Sequence, residues 1–343
     1  MDKKYTIKDI AELAGVSKGT VDRVLHRRGK VSKKAQLRVE KVLKEIDYQP
    51  NPIARNLKNN KVYSICVLMP DPKEDAYWNP AVQGIKDAAK EFKPFGVLVQ
   101  RFYYHPYNSV SFLEKSQEAL QSSPDVLLMA PLFQKEALDI FRECQKQNVL
   151  VALFNNFIDA FNTENFIGQD LYQSGRVAAS LIDRLHDETA TAVVLHLDEE
   201  AHMKLKENGF KAYFEEKQFA PKIETYSLKT SNKEILKKNA TDLLESNPKV
   251  AAVFITNSKA YLFIKAIEHL SKDLTIVAYD LLKENIEFLR NGYIDFLIHQ
   301  KPKRQAYLGV GYLAEHFLFG KPIPSQNLPI DIITPENVMY YLD

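Results

Sequence analysis

An alternation of short apolar runs with amphipathic helical patterns, beginning at Val62, most constrains how this 343-residue chain can fold. Runs that are apolar along their whole length are typical of parallel strands that helices cover on both faces. The predicted strands are residues 62–69, 97–103, 125–130, 149–154, 192–197, 223–228, 250–256 and 274–279. The predicted helices are residues 80–92, 109–121, 134–147, 172–186, 202–217, 233–245 and 259–269. Because a single core rarely exceeds about 250–300 residues, this pattern predicts an α/β core of two doubly wound parallel-sheet lobes.

Residues 6–25, TIKDIAELAGVSKGTVDRVL, predict two short helices joined by a tight turn. Thr6 and Ser17 are suited to cap the two helices, and Gly15 is suited to end the first in a left-handed conformation. Apolar residues recur at helical spacing: Ile7, Ile10, Ala11, Ala14, Val21, Val24 and Leu25. The outward face of the second helix offers Lys18, Gly19, Thr20, Asp22 and Arg23, which suits a helix that enters the major groove by its N-terminal end. A helical hairpin inside a larger core is the alternative.

A third helix and a linker follow. Residues 33–46 predict a helix capped by Ser32, with Leu37, Val42, Leu43 and Ile46 as its apolar residues. The loop His26-Arg27-Arg28-Gly29-Lys30 is either a phosphate contact or a solvated charge run. Residues 50–60 predict a linker with a helix over 53–58 that is too short to be stable by itself.

The charge is divided unevenly along the chain. Residues 1–60 contain 15 Lys and Arg against 7 Asp and Glu, whereas the remainder contains 31 against 37. A compact basic end on a mildly acidic body indicates a polyanionic partner for the small end only.

The stretch from Tyr5 to Lys58 resembles the DNA-binding headpiece and hinge of the LacI/GalR repressor family, through the pieces IKDIAELAGVS, TV-x-RVL and Y-x-P-N-x-I-AR-x-L. The resemblance implies a homodimer that binds a pseudo-palindromic double-stranded operator, with Leu57 wedged between base steps of the minor groove. A plain tether is the alternative for this linker. The implied DNA-binding residues are Thr6, Ser17, Lys18, Gly19, Thr20, Asp22, Arg23, His26, Arg28, Tyr48, Asn51, Ala54, Arg55, Leu57 and Lys58. Family members usually carry serine at the position of Asp22, so the preferred operator is expected to differ from the commonest family sites.

The order of elements after Val62 is similar to the type I periplasmic-binding-protein core of the same family. The resemblance implies a headpiece over residues 1–49, a hinge over 50–60 and an effector-binding core over 61–343. The first lobe is expected over about 61–168 and 301–327, and the second over about 170–298 and 329–343, with crossovers near Gln169, His299 and Leu328.

Ligands of open parallel sheets bind at the carboxyl ends of the strands, so the polar and aromatic residues there are the candidate effector ligands. They are Asp75, Tyr77, Trp78, Arg101, Asn155, Asn156, Asp170, His202, Lys206, Asn257, Asp280 and Gln300. Asn257, Asp280 and Gln300 match the family segments F-x-T-N-D, V-x-G-F-D and I-x-Q-x-P. Lys206 stands where the family segment R-x-x-G-F has an arginine, and lysine cannot make the same two-pronged contact. Tyr77 and Trp78 are equally suited to anchor the next helix.

The expected effector is a neutral sugar or polyol, because aromatics, amides and Asp280 suit hydroxyl groups. Arg101, Arg176 and Lys206 leave a sugar phosphate or acid sugar open, and a purine-type ligand is a third choice. Cys66 and Cys144 are predicted to be buried free thiols, and no metal-type spacing, catalytic motif or cofactor-binding loop occurs. We therefore expect a regulator rather than an enzyme, without metal or cofactor.

No run of eighteen apolar residues and no secretory leader is present, which predicts a cytoplasmic protein with no membrane partner. A C-terminal leucine heptad is also missing, which favours a dimer over a coiled-coil tetramer. The competing interpretation is a sugar-binding or sensing module of the periplasmic-binding-protein type with no specific DNA site.

Overall fold

The structure is a computed structural model that describes residues 5–25, 29–46, 48, 61–158, 165–187, 189–198, 200–217, 220–270 and 272–342. It divides into two compact units, Met1–Lys58 and Asn59–Asp343. The expected hinge over residues 50–60 and the basic residues His26, Arg27 and Arg28 lie outside the described residues.

The first unit is built on three helices, α1 (Ile7–Ala14), α2 (Lys18–Leu25) and α3 (Lys33–Glu45). A reciprocal cap starts α1, because the Asp9 backbone N–H donates to Thr6 Oγ1 over 3.3 Å and Asp9 Oδ2 accepts from the Thr6 N–H over 2.7 Å. Gly15 ends α1 at φ 60°, ψ 43°, the left-handed conformation that glycine adopts without strain. A small apolar core closes the unit with Ile10, Ala11, Ala14, Val21, Val39 and Val42.

Leu37 does not belong to that core and is 66% exposed. The apolar residues of α3 that face inward are Val39, Val42 and Leu43, which are spaced as i, i+3 and i+4. Leu37 precedes Val39 by two residues, about 200° around the helix, and therefore faces the other way.

The second unit contains two six-stranded sheets. The first has the strand order β11-β5-β4-β3-β1-β2, and its pairs are all parallel. Its strands are β1 (Tyr63–Pro70), β2 (Val97–Tyr104), β3 (Val126–Met129), β4 (Leu150–Asn155), β5 (Phe166–Gly168) and β11 (Gln326–Asn327). The helices α4 (Asn79–Phe92) and α12 (Pro302–Phe319) cover one face, and α5 (Ser109–Gln121) and α6 (Gln134–Lys146) cover the other.

The second sheet has the order β12-β10-β9-β8-β6-β7, and only the edge pair of β10 with β12 is antiparallel among the described strands. Its strands are β6 (Thr191–Leu197), β7 (Lys222–Leu228), β8 (Val250–Ile255), β9 (Thr275–Tyr279), β10 (Phe296–His299) and β12 (Asp331–Ile333). One face packs against α7 (Leu171–Asp183) and α8 (Ala201–Glu215). The other packs against α9 (Lys233–Ser246), α10 (Ala260–Ile267) and α11 (Lys283–Arg290).

Two close helix contacts depend on glycine. A Cβ at Gly84 of α4 would overlap the backbone oxygen of Lys303 in α12. A Cβ at Gly175 of α7 would overlap the backbone oxygen of Lys206 in α8. Backbone packs against backbone at both places, which keeps the helix pairs close above their sheets.

The predicted architecture of two parallel-sheet lobes is confirmed. The eight predicted strands correspond to β1–β4 and β6–β9, whereas the short strands β5, β10, β11 and β12 and the helices α11 and α12 were not among the predicted elements. The chain passes between the sheets after β5, after β10 and after β11. Gln169, His299 and Leu328, the expected crossover residues, lie in or beside these segments. No helix in the described part of the chain is both long and apolar enough to cross a bilayer.

Candidate functional site

The carboxyl ends of strands from both sheets border one cavity, whose empty space, open solvent included, is about 390 Å³. Its lining residues are Asp75, Tyr77, Trp78, Leu132, Asn155, Asn156, Glu200, His202, Asn257, Ser258, Lys259, Asp280 and Gln300.

On the first lobe, a single turn of 3-10 helix after β1 positions two aromatic rings. Asp75 caps this turn by accepting from the Tyr77 backbone N–H over 3.0 Å. Tyr77 and Trp78 are buried and meet edge to face at 5.0 Å, and Trp78 in turn meets Phe154 of β4 at 6.2 Å. The two aromatic residues therefore pack the base of α4 and also border the cavity.

Asn155 is the last residue of β4 and Asn156 follows it, but the two side chains differ in their hydrogen-bond partners. Asn155, at φ 67°, donates through Nδ2 to the Tyr77 hydroxyl and, over 3.2 Å, to Gln305 Oε1. Asn156 is 6% exposed, and its Nδ2 has no hydrogen-bond partner among the described residues. An unsatisfied buried donor costs about 1–3 kcal/mol, so Asn156 is a donor in place for the acceptor of a ligand.

On the second lobe, Asp280 follows β9 in a left-handed conformation with φ 65°. Its carboxylate accepts from the Gln300 backbone N–H over 2.9 Å and from Gln300 Nε2 over 2.6 Å. Asn285 donates to the Tyr279 and Ser258 carbonyl oxygens and so ties the ends of β9 and β8 together. These hydrogen bonds fix the position of the Asp280 carboxylate, and a ligand-binding group needs such a fixed position.

Asn257 and Lys259, which follow β8, also line the cavity from the second lobe. Asn257 Nδ2 donates to the Leu197 carbonyl over 2.7 Å, which leaves the side chain fixed against β6. Lys259 Nζ donates to Asp198 Oδ2 and to the Tyr107 hydroxyl of the first lobe. Burial lowers the pKa of Lys259, but these two hydrogen bonds outweigh it and hold the pKa above its ordinary value. Lys259 therefore remains charged and links the two lobes.

Carboxyl groups outnumber ammonium groups among the described lining residues, with Asp75, Glu200 and Asp280 against Lys259. Burial, reinforced by repulsion from Asp75, raises the pKa of Glu200 from 4.5 to about 7, although Lys259 opposes the shift. Burial likewise raises the pKa of Asp75, despite the hydrogen bond from Tyr77. His202 Nδ1 lies 3.4 Å from a Glu200 carboxylate oxygen, but burial holds the pKa of His202 well below its ordinary value, so the imidazole is neutral near pH 7.

Three of the twelve predicted effector residues do not line the cavity. Arg101 is exposed on the edge strand β2, three residues before its end, and points to solvent. Asp170 is exposed, and its carboxylate caps α7 by accepting from the Gln173 backbone N–H. Arg176, a further candidate for an acidic ligand, is paired with Glu216 on the surface.

Lys206 is the third and lies behind the cavity wall, fully buried. Its Nζ donates to the Thr256 carbonyl over 2.9 Å and stands 3.6 Å from the centre of the Tyr279 ring. Burial lowers the pKa of Lys206 to about 8, with Asp280 and Glu200 opposing the shift. The Lys206 ammonium therefore contacts the Thr256 carbonyl oxygen and the face of the Tyr279 ring. It does not line the cavity, where its match to the family arginine predicted it.

Four lining residues were not predicted: Leu132, Glu200, Ser258 and Lys259. Each stands three or four residues after the carboxyl end of a strand, namely β3, β6 or β8. The rule that places ligands at strand ends could have selected them.

In the first unit, the start of α2 is an exposed polar surface. Ser17, Lys18, Gly19 and Arg23 are exposed, and Thr20 is partly buried. Ser17 Oγ accepts from the Thr20 backbone N–H over 3.2 Å and lies 3.0 Å from Thr20 Oγ1. Three more predicted DNA contacts lie among the described residues: Thr6 caps α1, and Asp22 and Tyr48 are partly buried.

The remaining predicted DNA contacts lie outside the described residues: His26, Arg28, Asn51, Ala54, Arg55, Leu57 and Lys58. Cys66 and Cys144 are buried free thiols, and burial raises the pKa of each. The part of the chain that the structure describes contains no group of three or more His, Cys, Asp or Glu suited to a metal ion.

Comparison with family models matches residues 65–322 to the periplasmic binding protein domain and residues 6–51 to bacterial regulatory proteins of the lacI family. The chain is 39% identical over 90 residues to the HTH-type transcriptional regulator MalR of Streptococcus pneumoniae, over 25% of this chain and 27% of that protein. It thus spans about a quarter of the length of that relative.

Solved structures extend the similarity over the second unit. A chain described as a LacI transcriptional regulator of Bacteroides fragilis is 26% identical with a TM-score of 0.74, covering 82% of this chain and 100% of that one. An ABC transporter solute binding protein from Burkholderia graminis, in complex with D-arabinose, is 15% identical with a TM-score of 0.72, covering 82% and 99%. This second similarity concerns the fold alone.

Proposed function

Because the chain belongs to the lacI family of bacterial regulatory proteins, with a periplasmic binding protein domain as its core, we propose that it is an effector-controlled transcriptional regulator. It would bind operator DNA through the first unit and a small hydroxylated molecule in the cavity of the second. The observation that carries this proposal is the cavity itself, whose lining comes from both lobes and includes the unpaired Asn156 donor. Such a role places the protein in the cytoplasm.

The exposed start of α2 supports DNA recognition. Lys18 supplies a positive donor at the N-terminal end of α2 and Arg23 supplies another in its last turn, while Val21 packs the inner face of the helix. An N-terminal helix end of this kind fits the major groove, where side chains read base edges. A homodimer formed through the core would present two such helices to a pseudo-palindromic site.

The hinge residues would complete the DNA contact. Ala54, Arg55, Leu57 and Lys58 would fold as a short helix on the operator, with Leu57 inserted between base steps of the minor groove. Folding of this segment on DNA would connect the lobe arrangement of the core with operator affinity.

Control by effector would act through the two lobes. Ligand contacts with Asn156 of the first lobe and Asp280 of the second would be made together only when the cleft is closed. A ligand shifts this equilibrium by its differential affinity for the closed and open arrangements. Lys259, which already joins Asp198 to Tyr107 across the cleft, would stabilise the closed arrangement.

A sugar or polyol fits the lining best. Amides and carboxylates pair with hydroxyl groups, and Trp78 offers an apolar surface. The solute binding protein of similar fold that holds D-arabinose supports this class. Ligands with phosphate or carboxylate groups are disfavoured, because Arg101, Arg176 and Lys206 do not line the cavity.

The test of DNA binding is selection of sequences from random duplex DNA by the full chain, followed by anisotropy titrations at several salt concentrations. We expect a two-fold symmetric site whose affinity falls steeply as salt rises, as counterion release requires. Lys18→Ala should weaken binding by about 1 kcal/mol or more at a site where Lys18 contacts DNA. Lys41→Ala, which removes an exposed lysine of α3, is the matched control.

Recovery of no preferred sequence at any salt concentration would favour the second candidate function, a sugar-sensing module without a DNA site. Thermal shift of the full chain with a panel of sugars and polyols tests the cavity separately. A ligand at a hundred times its Kd should stabilise the protein by about 2.7 kcal/mol.

A further inference from the structure

We propose that the effector carries a protonated amino group beside its hydroxyl groups, as an amino sugar or amino polyol does, and that Glu200, Asp75 and Asp280 hold the ammonium. This inference rests on the proposed function, because it takes the cavity as the effector site and names the chemical class of ligand.

Its first support is the balance of charge around the cavity. Three carboxylates, from Asp75, Glu200 and Asp280, border the cavity, and Lys259 is the ammonium among the described lining residues. Lys259 is already paired with Asp198, whose carboxylate lies 2.5 Å from Nζ. Buried carboxylates need paired cations, so this lining has room for a positive ligand.

The hydrogen-bond partners of the carboxylates lead to the same conclusion. Asp75 accepts from the Tyr77 N–H, and Asp280 accepts from the backbone and side-chain N–H groups of Gln300. These donors are neutral, and a further group beside Asp280 is His299, whose Nδ1 lies 3.6 Å from Asp280 Oδ1, beyond hydrogen-bond distance. His202, 3.4 Å from Glu200, is neutral as well, because burial holds its pKa low.

The two lysines nearby do not neutralise the carboxyl groups that line the cavity. Lys206 lies behind the wall against the Thr256 carbonyl and the Tyr279 ring, and Lys259 serves Asp198 and Tyr107. Both lysines lower the pKa of Glu200, yet burial, with Asp75 and Asp198 adding repulsion, still raises it to about 7. A ligand ammonium would supply the counter-charge that the protein lacks at this point.

An independent observation marks the other end of the ligand. Asn156 is 6% exposed, lines the same cavity, and has a buried Nδ2 without a partner among the described residues. An amide N–H requires an acceptor such as a hydroxyl oxygen, and an ammonium cannot accept. The lining therefore suits one molecule with a cation near Glu200 and an acceptor near Asn156, whereas a phosphate or carboxylate would face the carboxyl groups of Asp75, Glu200 and Asp280.

The experiment compares matched probes by calorimetry with the full chain: D-glucosamine, N-acetyl-D-glucosamine and D-glucose, and the same three forms of galactose and mannose. We expect the amine of at least one set to bind about tenfold tighter than its neutral partners, since charge-assisted hydrogen bonds are about twice as strong as neutral ones. Glu200→Gln should remove that preference, measured as the ratio of the amine affinity to the neutral-sugar affinity of the same variant. Glu216→Gln, which changes a surface glutamate paired with Arg176, is the control.

If a neutral sugar binds as tightly as its amine in every set, the inference is overturned while the proposed sugar effector stands. If no amine binds, the inference is overturned too, and the DNA selection then decides the proposed function alone. An amine preference that persists in Glu200→Gln also overturns it. Should Glu200→Gln fail to fold, Asp75→Asn is the second variant, because asparagine retains the capping oxygen.

Discussion

The two walls of the cavity have the same architecture but different chemistry. The first lobe contributes aromatic rings and amides, with Tyr77, Trp78 and Asn155 bonded or packed among themselves. The second lobe contributes Glu200, Lys259 and Asp280. Gln300 donates to Asp280, and Lys259 donates to Asp198 and, over the cleft, to Tyr107. The difference indicates that the first wall mainly determines the shape of the site, with Asp75 as its carboxyl group, and that the second wall supplies the other charged groups that face a ligand. Mutations should therefore affect fold stability on one wall and ligand selection on the other.

The largest effect is expected from Trp78→Ala in the first wall. Trp78 is 2% exposed, and truncating a buried Trp costs about 3–5 kcal/mol because a cavity remains. Denaturant unfolding of the full chain measures the change. Tyr340→Ala is the control, since Tyr340 is 88% exposed and should change the free energy of unfolding by less than about 0.5 kcal/mol. A small loss for Trp78→Ala would show that this wall does not carry the packing assigned to it.

The second expectation concerns pH and the second wall. The folded-state pKa of Glu200 is raised from 4.5 to about 7, so the native state binds more protons than the unfolded state between these values. Its contribution to stability is therefore fully present below pH 4.5 and is lost as pH rises through about 7, by on the order of 3 kcal/mol in total. Glu200→Gln should flatten this part of the stability–pH curve relative to the native chain. Curves of identical slope would contradict the shift.

A smaller effect is expected from Asp280→Asn, also in the second wall. Asparagine tolerates the left-handed conformation at φ 65° and keeps the size of the side chain, but it loses the charge and one acceptor. Affinity for a bound effector should fall by about 1.5–3 kcal/mol, the usual value of a hydrogen bond to a charged group. Calorimetry measures it, with the exposed Asp242→Asn as control. Unchanged affinity would remove Asp280 from the binding site.

The smallest effect tests the link between the walls. Tyr107→Phe removes the hydroxyl that accepts from Lys259 but leaves the Lys259–Asp198 pair intact. Tyr107 is 53% exposed, so the loss should be about 0.5–1 kcal/mol and should show as faster effector release rather than as unfolding. Stopped-flow release rates measure it. A release rate equal to that of the native chain would mean that this bond does not hold the cleft closed.

Local patterns were sufficient for much of the structure. The caps at Thr6 and Ser17 and the glycine at position 15 act within a few residues of sequence, and the structure has each of them. The eight long apolar runs also became strands, because continuous apolarity is a property of the run itself. Short strands such as β5 and β12 carry too few residues for a pattern and form only beside a neighbour already in place.

The sequence by itself determined the headpiece helices, the two-lobed parallel-sheet core and the strand ends at which polar residues gather, since all three follow from spacing and composition. The tertiary structure alone decided which of those residues face the cavity. Arg101 points to solvent from an edge strand, Lys206 lies behind the wall, and Glu200 reaches the site. Side-chain direction at a strand end depends on the neighbouring strand and the opposing lobe, whose residues are far away along the chain. The electrostatic character of the site follows from the same placement, because burial and distance set how strongly the carboxylates repel each other.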